Sequence, residues 1–324
     1  MAGSKIIAIE NPSTISLETA RLKIVNIATK QENYVAVCDI MVLIIANNRS
    51  SISTACIALM AEQGGIIVFV DNNYLPVSMC FSNVLNKKAA NRPYLQAKNF
   101  DSFLYKRLWM NVIKSKIMGQ YLVLETHKMP NAKTILNLVD EVIIGDFENT
   151  EALAAKYYFN DYFAIFKEES LLREKQNAKH IINICLNYGY AIIRAMMART
   201  LASNGLILSF GLWHSRKDNA FNLVEDMVEP YRYLVDLIVI EVLMNNKEFL
   251  LQGELNPALK KALLTKIYDL EVKLGKKTYK IINGMAHSID TFCNILEKNN
   301  GLFLLPNVEF RVDVKDLTDN FTAI

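Results

Sequence analysis

The sequence has little cysteine, proline and glycine, and it lacks long uncharged apolar runs. Its 324 residues include five cysteines, seven prolines and 12 glycines. The cysteines are odd in number, widely spaced and form no CxxC pair, which argues against a disulfide framework or a thiolate zinc site. The proline and glycine content excludes collagen-like and low-complexity chains. We therefore expect a cytoplasmic protein in a reducing compartment.

Signals for membranes and for several common enzymes are also missing. No window of 18 residues is free of charge, and the first apolar run is too short for a signal peptide. The patterns GxxxxGK[ST], GxGxxG, HExxH and GxSxG do not occur, so nucleotide-binding, zinc-protease and serine-hydrolase classes lose their usual support. The 52% hydrophobic content is then expected to form a protein core, with no membrane partner.

The spacing of hydrophobic residues differs between two parts of the chain. Residues 1–85 contain short β-branched runs with one helix, which Ser53 can cap, whereas apolar residues recur at helical spacing from about residue 101. The pattern predicts an α+β fold with a small β-rich N-terminal domain (1–85) and a larger all-helical C-terminal domain (101–300). Residues 86–100 are expected to form a linker and residues 301–324 a C-terminal tail.

The net charge of +3 is small, but basic residues cluster locally. Residues 86–116 contain eight lysines and arginines against Asp101 alone, and residues 256–280 contain seven lysines against two acids. Such clusters occur on ordinary solvated helix faces and also on surfaces that bind phosphates. Both interpretations remain open from the residues alone.

One histidine lies close in sequence to a group of acids. His214 follows an apolar stretch, and Glu225, Asp226 and Glu229 come within 15 residues of it. Histidine with carboxylates suits Mn²⁺ or Mg²⁺, and crowded acids favour a bound cation. The alternative is a solvated acidic face in which Glu229 pairs with Arg232 or Arg194. A further acid, Glu151, lies in the first turn of a predicted helix, where it also stabilises the helix dipole.

Four motifs in order resemble the CRISPR-associated integrase-endonuclease family Cas1, and most closely its type II branch. They are NTEALAAKYYF (149–159), LNYGYAIIRA (186–195), LWHS (212–215) and DMVEPYRYLVD (226–236). The resemblance implies that Glu151, His214 and Glu229 are the catalytic metal ligands for Mg²⁺ or Mn²⁺. Asp226 is a possible further ligand. It also implies that the helical C-terminal domain is the catalytic one, that the protein dimerises through the N-terminal domain, and that it assembles with Cas2.

The function implied by this resemblance is a divalent-metal-dependent DNA endonuclease and integrase. It would insert spacers into CRISPR arrays by transesterification with a 3′-hydroxyl nucleophile, acting on double-stranded prespacer and repeat DNA. Alternatives are a metal-dependent repair nuclease without integration and a catalytically silent DNA-binding scaffold. Candidate DNA contacts within or beside the motifs and in the first basic segment are Lys156, Asn187, Tyr188, Arg216, Lys217, Lys87, Lys88, Lys106 and Arg107.

Overall fold

The computed structural model describes residues 5–70, 76–80 and 89–313. These residues divide into two compact units. The strand-rich unit lies within Met1–Ala90 together with Ala198–Leu206, and the helical unit lies within Asn91–Met197 together with Ile207–Ile324. The α+β class predicted from the sequence is confirmed, with strands concentrated at the N-terminal end and helices after them.

The described part of the strand-rich unit contains eight strands and one α-helix. They are β1 (Lys5–Ile9), β2 (Ser13–Glu18), β3 (Arg21–Asn26), β4 (Glu32–Ala36), β5 (Ile40–Ile45), β6 (Ser51–Ile52), α1 (Thr54–Glu62), β7 (Ile66–Val70) and β8 (Pro76–Cys80). The Ser53 hydroxyl caps α1 by accepting from the Cys56 amide at 3.4 Å, as the sequence predicts.

Two four-stranded sheets form this unit. One has the order β1-β5-β7-β8, with β1, β5 and β7 parallel and β8 antiparallel to β7. The other has the order β4-β3-β2-β6, antiparallel except for the parallel β2–β6 pair. Apolar side chains from both sheets and from α1, including Ile15, Leu22, Leu43 and Met60, form one buried core.

The helical unit contains ten α-helices and four short strands among the described residues. They are α2 (Arg92–Asn99), α3 (Phe103–Thr126), α4 (Ala132–Glu141), α5 (Thr150–Ile165), α6 (Ile181–Ser203), α7 (Asn222–Val228), α8 (Arg232–Asn245), α9 (Lys247–Gln252), α10 (Pro257–Asp269), β9 (Glu271–Leu274), β10 (Lys277–Lys280), α11 (Ile281–Lys298), β11 (Asn300–Leu305) and β12 (Val308–Asp313). The last six residues of α6, Ala198–Ser203, belong to the strand-rich unit.

Helix α3 is the central element of the helical unit. Ser102 caps it by accepting from the Tyr105 amide, and Leu108, Trp109 and Ile113 along its length are fully buried. It packs against α4, α5, α7 and α8. Helices α5, α7 and α8 carry or directly precede residues of the candidate site. Their packing against α3 therefore fixes the relative positions of these residues.

Three details differ from the pattern predicted by the sequence. Helix α2 occupies most of the segment expected to be a linker, with a proline at one of its first two positions, where no helical N–H is needed. The C-terminal part also contains two antiparallel hairpins, β9–β10 and β11–β12, so it is not exclusively helical. The second hairpin includes the start of the expected tail and buries Phe303, while residues 314–324 lie outside the described part.

A glycine allows α3 and α8 to approach each other closely. A Cβ atom placed on Gly119 would lie 2.5 Å from the buried Tyr233 ring, which is well inside van der Waals contact. Tyr233 follows Arg232 directly at the beginning of α8. The missing side chain at position 119 therefore sets the distance between the two helices next to the candidate site.

Within the described residues, one helix has the length and composition needed to cross a membrane. This helix is α6, and 72% of its most apolar stretch is buried inside the protein. Buried core helices have the same length and composition, so this finding is weak support for a membrane segment.

Candidate active site

Glu151 is held in the first turn of α5 by a capping carboxylate. Asp146 accepts hydrogen bonds from the amides of Thr150 and Glu151, both at 3.0 Å. Asn149 occupies the N-cap position in the left-handed region with φ of 58° and makes no side-chain cap. Asp146 is buried. The N-terminus of α5 is therefore capped by Asp146, which lies four residues before the helix begins, and not by the side chain of Asn149.

His214 lies in the connection between α6 and α7 and is oriented by Asp226 on α7. Its Nδ1 is 2.5 Å from Asp226 Oδ1. Asp226 also accepts from the backbone amides of Leu212 at 2.6 Å and Trp213 at 3.1 Å. These contacts use Nδ1 of the imidazole and leave Nε2 as the nitrogen that can meet a ligand.

The side chain of Asp226 is fully buried, whereas the side chain of His214 is 37% exposed. Burial raises the pKa of the Asp226 carboxyl against the opposing effect of His214 and the backbone amides. The hydrogen bond to Asp226 raises the pKa of His214, against the opposing effect of burial. Each group therefore affects the protonation of the other, and the Asp226 carboxylate makes its hydrogen bonds to the loop that carries His214.

Glu229 opens the short 3₁₀ turn Glu229–Tyr231 between α7 and α8. Its side chain is buried, with Arg232 Nη2 2.9 Å from Oε1 and Lys116 Nζ 2.7 Å from Oε2. The Lys116 contact is an ion pair without hydrogen-bond geometry. Arg194 instead pairs with Glu225 at 2.6 Å. The sequence alternative is correct about the Arg232 pair, but Asp226 and Glu229 are buried rather than solvated.

Lys116 from α3 connects the two glutamates. Its Nζ lies 2.5 Å from Glu151 Oε1 as well as 2.7 Å from Glu229 Oε2, and its side chain is 12% exposed. In the described part of the chain, no three His, Cys, Asp or Glu side chains are grouped as a ready metal site. The ammonium group is instead the cation on which the two carboxylates converge.

The charges of this cluster stabilise one another. Burial disfavours the charged form of Lys116, but Glu229 and Glu151 outweigh it and raise the lysine pKa. Burial likewise disfavours the Glu229 carboxylate, yet Arg232 and Lys116 lower its pKa to about 2. Both groups therefore remain charged at neutral pH, and the buried cluster carries its own counterions.

Glu151, His214 and Glu229 line a single cleft of about 830 Å³. The cleft is rich in basic side chains, which suits a polyanionic substrate. Those that line it are Lys116, Lys156, Arg173, Lys175, Arg216 and Arg232. Lys156 and Arg216 are among the DNA contacts predicted from the sequence.

A loop between α5 and α6 forms one wall of the cleft. Arg173 in this loop donates to Asn183 at 3.2 Å and to Asn187 at 2.6 Å, and its guanidinium lies 5.4 Å from the centroid of the Tyr190 ring. Asn187 also donates to the Glu174 carbonyl. The structure therefore places Asn187 in the anchoring of this loop, next to the cleft.

A buried carboxylate lies at the inner end of the same cleft. Asp236 accepts hydrogen bonds from the Tyr158 hydroxyl at 2.5 Å and from Tyr190. Burial raises the pKa of Asp236 to about 6 in spite of these donors and of Arg173. Arg232 lies over the Tyr190 ring, 5.1 Å from its centroid. This polar network supports the arginine that contacts Glu229.

The remaining predicted DNA contacts have different surroundings. Lys217 is exposed, and Tyr188 is buried. Lys106 pairs with Asp101 at 3.0 Å. Arg107 is half-buried on α3. Lys87 and Lys88 lie outside the described residues, so the structure says nothing about them.

The roles of Lys116 and Asp146 are not among those predicted from the sequence. Lys116 belongs to the first basic segment, although it stands between the buried residues Ser115 and Ile117 on a helix with a buried face. A lysine in an apolar helical pattern needs a counterion, and this signal could have identified it. Asp146 lies outside the helix that it caps, so the usual capping pattern did not reveal it.

A family model and a curated relative both match this chain and name the same family. The protein-family model described as "CRISPR associated protein Cas1" matches residues 6–267. The CRISPR-associated endonuclease Cas1 of Neisseria meningitidis serogroup C (strain 8013) is 31% identical over 302 residues, covering 93% of this chain and 95% of that protein. The candidate ligands Glu151, His214 and Glu229 all lie inside the matched region.

Two solved structures share the fold. A casposase bound to an integration product has a TM-score of 0.77 at 17% identity, covering 91% of each chain. A chain of a Cas6-RT-Cas1–Cas2 complex has a TM-score of 0.74 at 14% identity, covering 92% of this chain and 35% of that one. From its match over most of its length and from its 31% identity to a curated relative, the chain belongs to the Cas1 family of CRISPR-associated endonucleases.

Proposed function

We propose that this protein is a divalent-metal-dependent DNA integrase and endonuclease that inserts spacers into CRISPR arrays. One observation carries the proposal. The carboxylates of Glu151 and Glu229 converge on one cationic nitrogen, at 2.5 and 2.7 Å, in the cleft that His214 also lines. This arrangement provides two oxygen donors at a place that already accommodates a positive charge, and an imidazole nitrogen in the same cleft.

The donor set fits Mg²⁺ or Mn²⁺ by its chemistry. Carboxylate oxygens suit both ions, and an imidazole nitrogen binds Mn²⁺ more readily than Mg²⁺. Glu151, Glu229 and Nε2 of His214 would hold the ion, and Asp226 would orient the imidazole rather than bind. When bound, the ion supplies Lewis-acid activation of a phosphodiester.

The residues of the chain would then position the reacting DNA. Lys116, once released from the carboxylates, and Arg232 would contact the phosphate, while Lys156 and Arg216 would neutralise adjacent phosphates along the cleft. In the reaction, a 3′-hydroxyl loses its proton and its oxygen forms a bond to phosphorus. The bond from phosphorus to the O3′ of the target strand breaks, and that oxygen takes up a proton. Water in place of the 3′-hydroxyl would give strand cleavage.

The proposed partners are double-stranded prespacer and repeat DNA, a second copy of this chain and Cas2. The support is the fold shared with a casposase bound to an integration product and with a chain of a Cas1–Cas2 complex. Among the described residues, β1 and β4 are edge strands of the two sheets in the strand-rich unit, and an edge strand is a place where a second copy can bind. Light scattering at micromolar concentration should give the mass of two chains.

A strand-transfer assay tests this function. The purified chain and Cas2 are mixed with a plasmid carrying a CRISPR repeat and with a labelled duplex that ends in a 3′-hydroxyl. Joined product should appear with Mn²⁺ or Mg²⁺, and neither with a chelator nor with a dideoxy 3′ end. Glu151→Gln, His214→Ala and Glu229→Gln should each reduce joining by orders of magnitude. The exposed neighbour Glu148 provides the matched control, Glu148→Gln.

Thermal melting provides an independent measure of ion binding. Mn²⁺ should raise the Tm of the parent protein, because the ion binds only the folded state, and should do so much less in the three ligand variants. Cleavage without joining would favour a repair nuclease, and salt-dependent DNA binding without either reaction would favour a scaffold. Retained metal-dependent joining in all three variants would contradict the assignment of the site.

A further inference from the structure

Two arginine side chains lie over the aromatic ring of Tyr190 in the cleft. Tyr190 belongs to α6 and lines the cleft together with Arg173 and Arg232. The guanidinium carbon of Arg232 is 5.1 Å from the centroid of the ring, and that of Arg173 is 5.4 Å from it. Guanidinium groups are attracted to the face of an aromatic ring, and the attraction increases where water is excluded. The ring therefore holds two cations, one of which pairs with Glu229.

Arg232 has few directional contacts apart from this ring. Its Nη2 atom forms ion pairs with Glu229 at 2.9 Å and with Glu225 at 3.8 Å. Among the described residues, its buried Nε atom has no hydrogen-bond partner. Ion pairs through one terminal nitrogen leave a planar group free to turn about that atom, whereas a ring face restricts the plane of the guanidinium. The orientation of Arg232 therefore depends on Tyr190.

The position of Tyr190 is itself fixed by two contacts between α6 and α8. Its hydroxyl donates to the buried carboxylate of Asp236. Asp236 comes four residues after Arg232, so both residues are on the same side of α8. The residue before Tyr190 is Gly189, and a Cβ atom there would overlap Cγ1 of Val235 on α8. The hydroxyl contact and the close approach of the helices together hold the ring against Arg232.

We infer that Tyr190 is a positioning residue for strand transfer, which aligns Arg232 and, through it, the carboxylate of Glu229. The ring, the guanidinium and the carboxylate form a series, with separations of 5.1 Å and 2.9 Å. Groups that orient a metal ligand through another side chain change metal affinity and activity by about 10- to 100-fold without touching the ion. The inference rests on the proposed function, since it assumes that Glu229 binds the ion.

A role in alignment and a role in packing predict different results. A residue that only fills space contributes the same amount whether or not Arg232 is present. A residue that aligns Arg232 loses its effect when the arginine is removed, so the two positions are coupled in a double-mutant cycle. Phe159 provides the matched control, because its ring lines the same cleft and lies 5.7 Å from the guanidinium of Arg173.

Mn²⁺ titration of the full chain, followed by Tm, tests the inference in the absence of DNA. Tyr190→Leu removes the ring and should weaken Mn²⁺ binding about tenfold, whereas Tyr190→Phe keeps the ring and should bind within about twofold of the parent. Both variants lack the hydroxyl, so the lost contact with Asp236 is the same in each. In an Arg232→Gln background, Tyr190→Leu should change the affinity by less than about twofold. Phe159→Leu should leave the Mn²⁺ affinity unchanged.

Strand-transfer kinetics provide a second measurement. The joining rate of Tyr190→Leu at saturating DNA should fall about tenfold, and Tyr190→Phe should restore most of it. Duplex affinity in the presence of a chelator should be unchanged in both variants, because the basic side chains of the cleft remain. A change in rate without a change in duplex affinity separates alignment of the site from binding of the substrate.

Each other outcome has a defined meaning. Parental Mn²⁺ affinity in Tyr190→Leu, or an equal loss in Tyr190→Phe, would overturn the inference and leave the proposed function intact. An equal loss in the Arg232→Gln background would also overturn it, because Tyr190 would then only fill space. If Tyr190→Leu does not fold, the longer side chain of Tyr190→Met replaces it in the same comparisons. Failure of the parent protein to join DNA would contradict the proposed function itself.

Discussion

Asp226 Oδ1 lies 2.5 Å from His214 Nδ1, on a carboxylate that is completely buried. The two oxygens of Asp226 also accept from three consecutive backbone amides, Leu212 to His214. A carboxylate with all these donors orients its neighbour and stabilises the loop, and has little freedom to bind an ion. The acid that could be taken for a fourth ligand is better explained as the residue that positions the imidazole.

Asp226→Asn is therefore expected to weaken Mn²⁺ binding and strand transfer about 10- to 100-fold, less than removal of a ligand. Mn²⁺ titration followed by Tm, together with strand-transfer rates, measures this effect. Glu225→Gln changes the adjacent acid, which pairs with Arg194, and serves as the control. A loss as large as that of His214→Ala would identify Asp226 as a ligand.

Glu229→Ala should destabilise the metal-free protein by about 3 kcal/mol, because it leaves Lys116 and Arg232 with less compensation in a buried place. Urea unfolding in the presence of a chelator measures the change. Substitution of the exposed Glu148 by alanine should have almost no effect. An equal or higher stability of Glu229→Ala would show that repulsion between the carboxylates outweighs their attraction to the two cations.

Lys116→Gln is expected to separate metal affinity from activity. The ammonium occupies the space between two proposed ligands and repels an arriving cation, so its removal should increase Mn²⁺ affinity at least tenfold. Strand transfer should nevertheless fall, because the phosphate loses a basic contact. Lys114→Gln removes the same charge two residues earlier on α3 and provides the control. An unchanged Mn²⁺ affinity in Lys116→Gln would mean that the lysine and the ion do not compete.

Asp236 should make a pH-dependent contribution to stability. Its pKa rises from 3.8 to about 6 on folding, so the folded state holds the proton more tightly. Stability from this group is therefore fully present below pH 3.8 and is lost as the pH rises through 6, by about 3 kcal/mol in total. Asp236→Asn lacks this loss. The difference in unfolding free energy between the parent and Asp236→Asn should decrease by about 2 kcal/mol from pH 4 to 7, and a constant difference would contradict the shift.

Duplex binding should depend steeply on salt if the cleft follows the phosphate backbone. Lys156→Gln and Arg216→Gln should each reduce the slope of log affinity against log salt by about one. Lys133, which is exposed on α4 and does not line the cleft, gives the control substitution Lys133→Gln. A slope that is unchanged in both cleft variants would show that these side chains are only solvated.

The hydrophobic periods predict the order of strands and helices, but several short elements carry no clear signal. Strand β2 is joined to β3 by a tight turn in which Thr19 and Ala20 both have positive φ. Tight hairpin turns usually contain Asn or Gly at such positions, so this hairpin cannot be recognised from its turn residues. The tertiary contacts of the sheet hold the turn in this conformation.

The family motifs locate the three proposed ligands, whereas their counterions depend on tertiary packing. Glu229 and Arg232 are three residues apart and could be paired from the sequence. Lys116 is 35 residues from Glu151 and much further from Glu229, and its place between them follows from the packing of α3 against α5 and α8. No local pattern contains that information, so the lysine looked like part of a basic surface.

The close approach of α3 and α8 at Gly119 makes the site sensitive to a position that binds nothing. A methyl group at residue 119 would meet the Tyr233 ring at 2.5 Å, and relief of that clash would shift the beginning of α8, where Arg232 lies. Glu229 would lose its alignment with Lys116 while every ligand side chain remained present. Sequence variants of this protein can thus retain the complete set of functional residues and still be inactive, so an intact motif set does not by itself identify an active homologue.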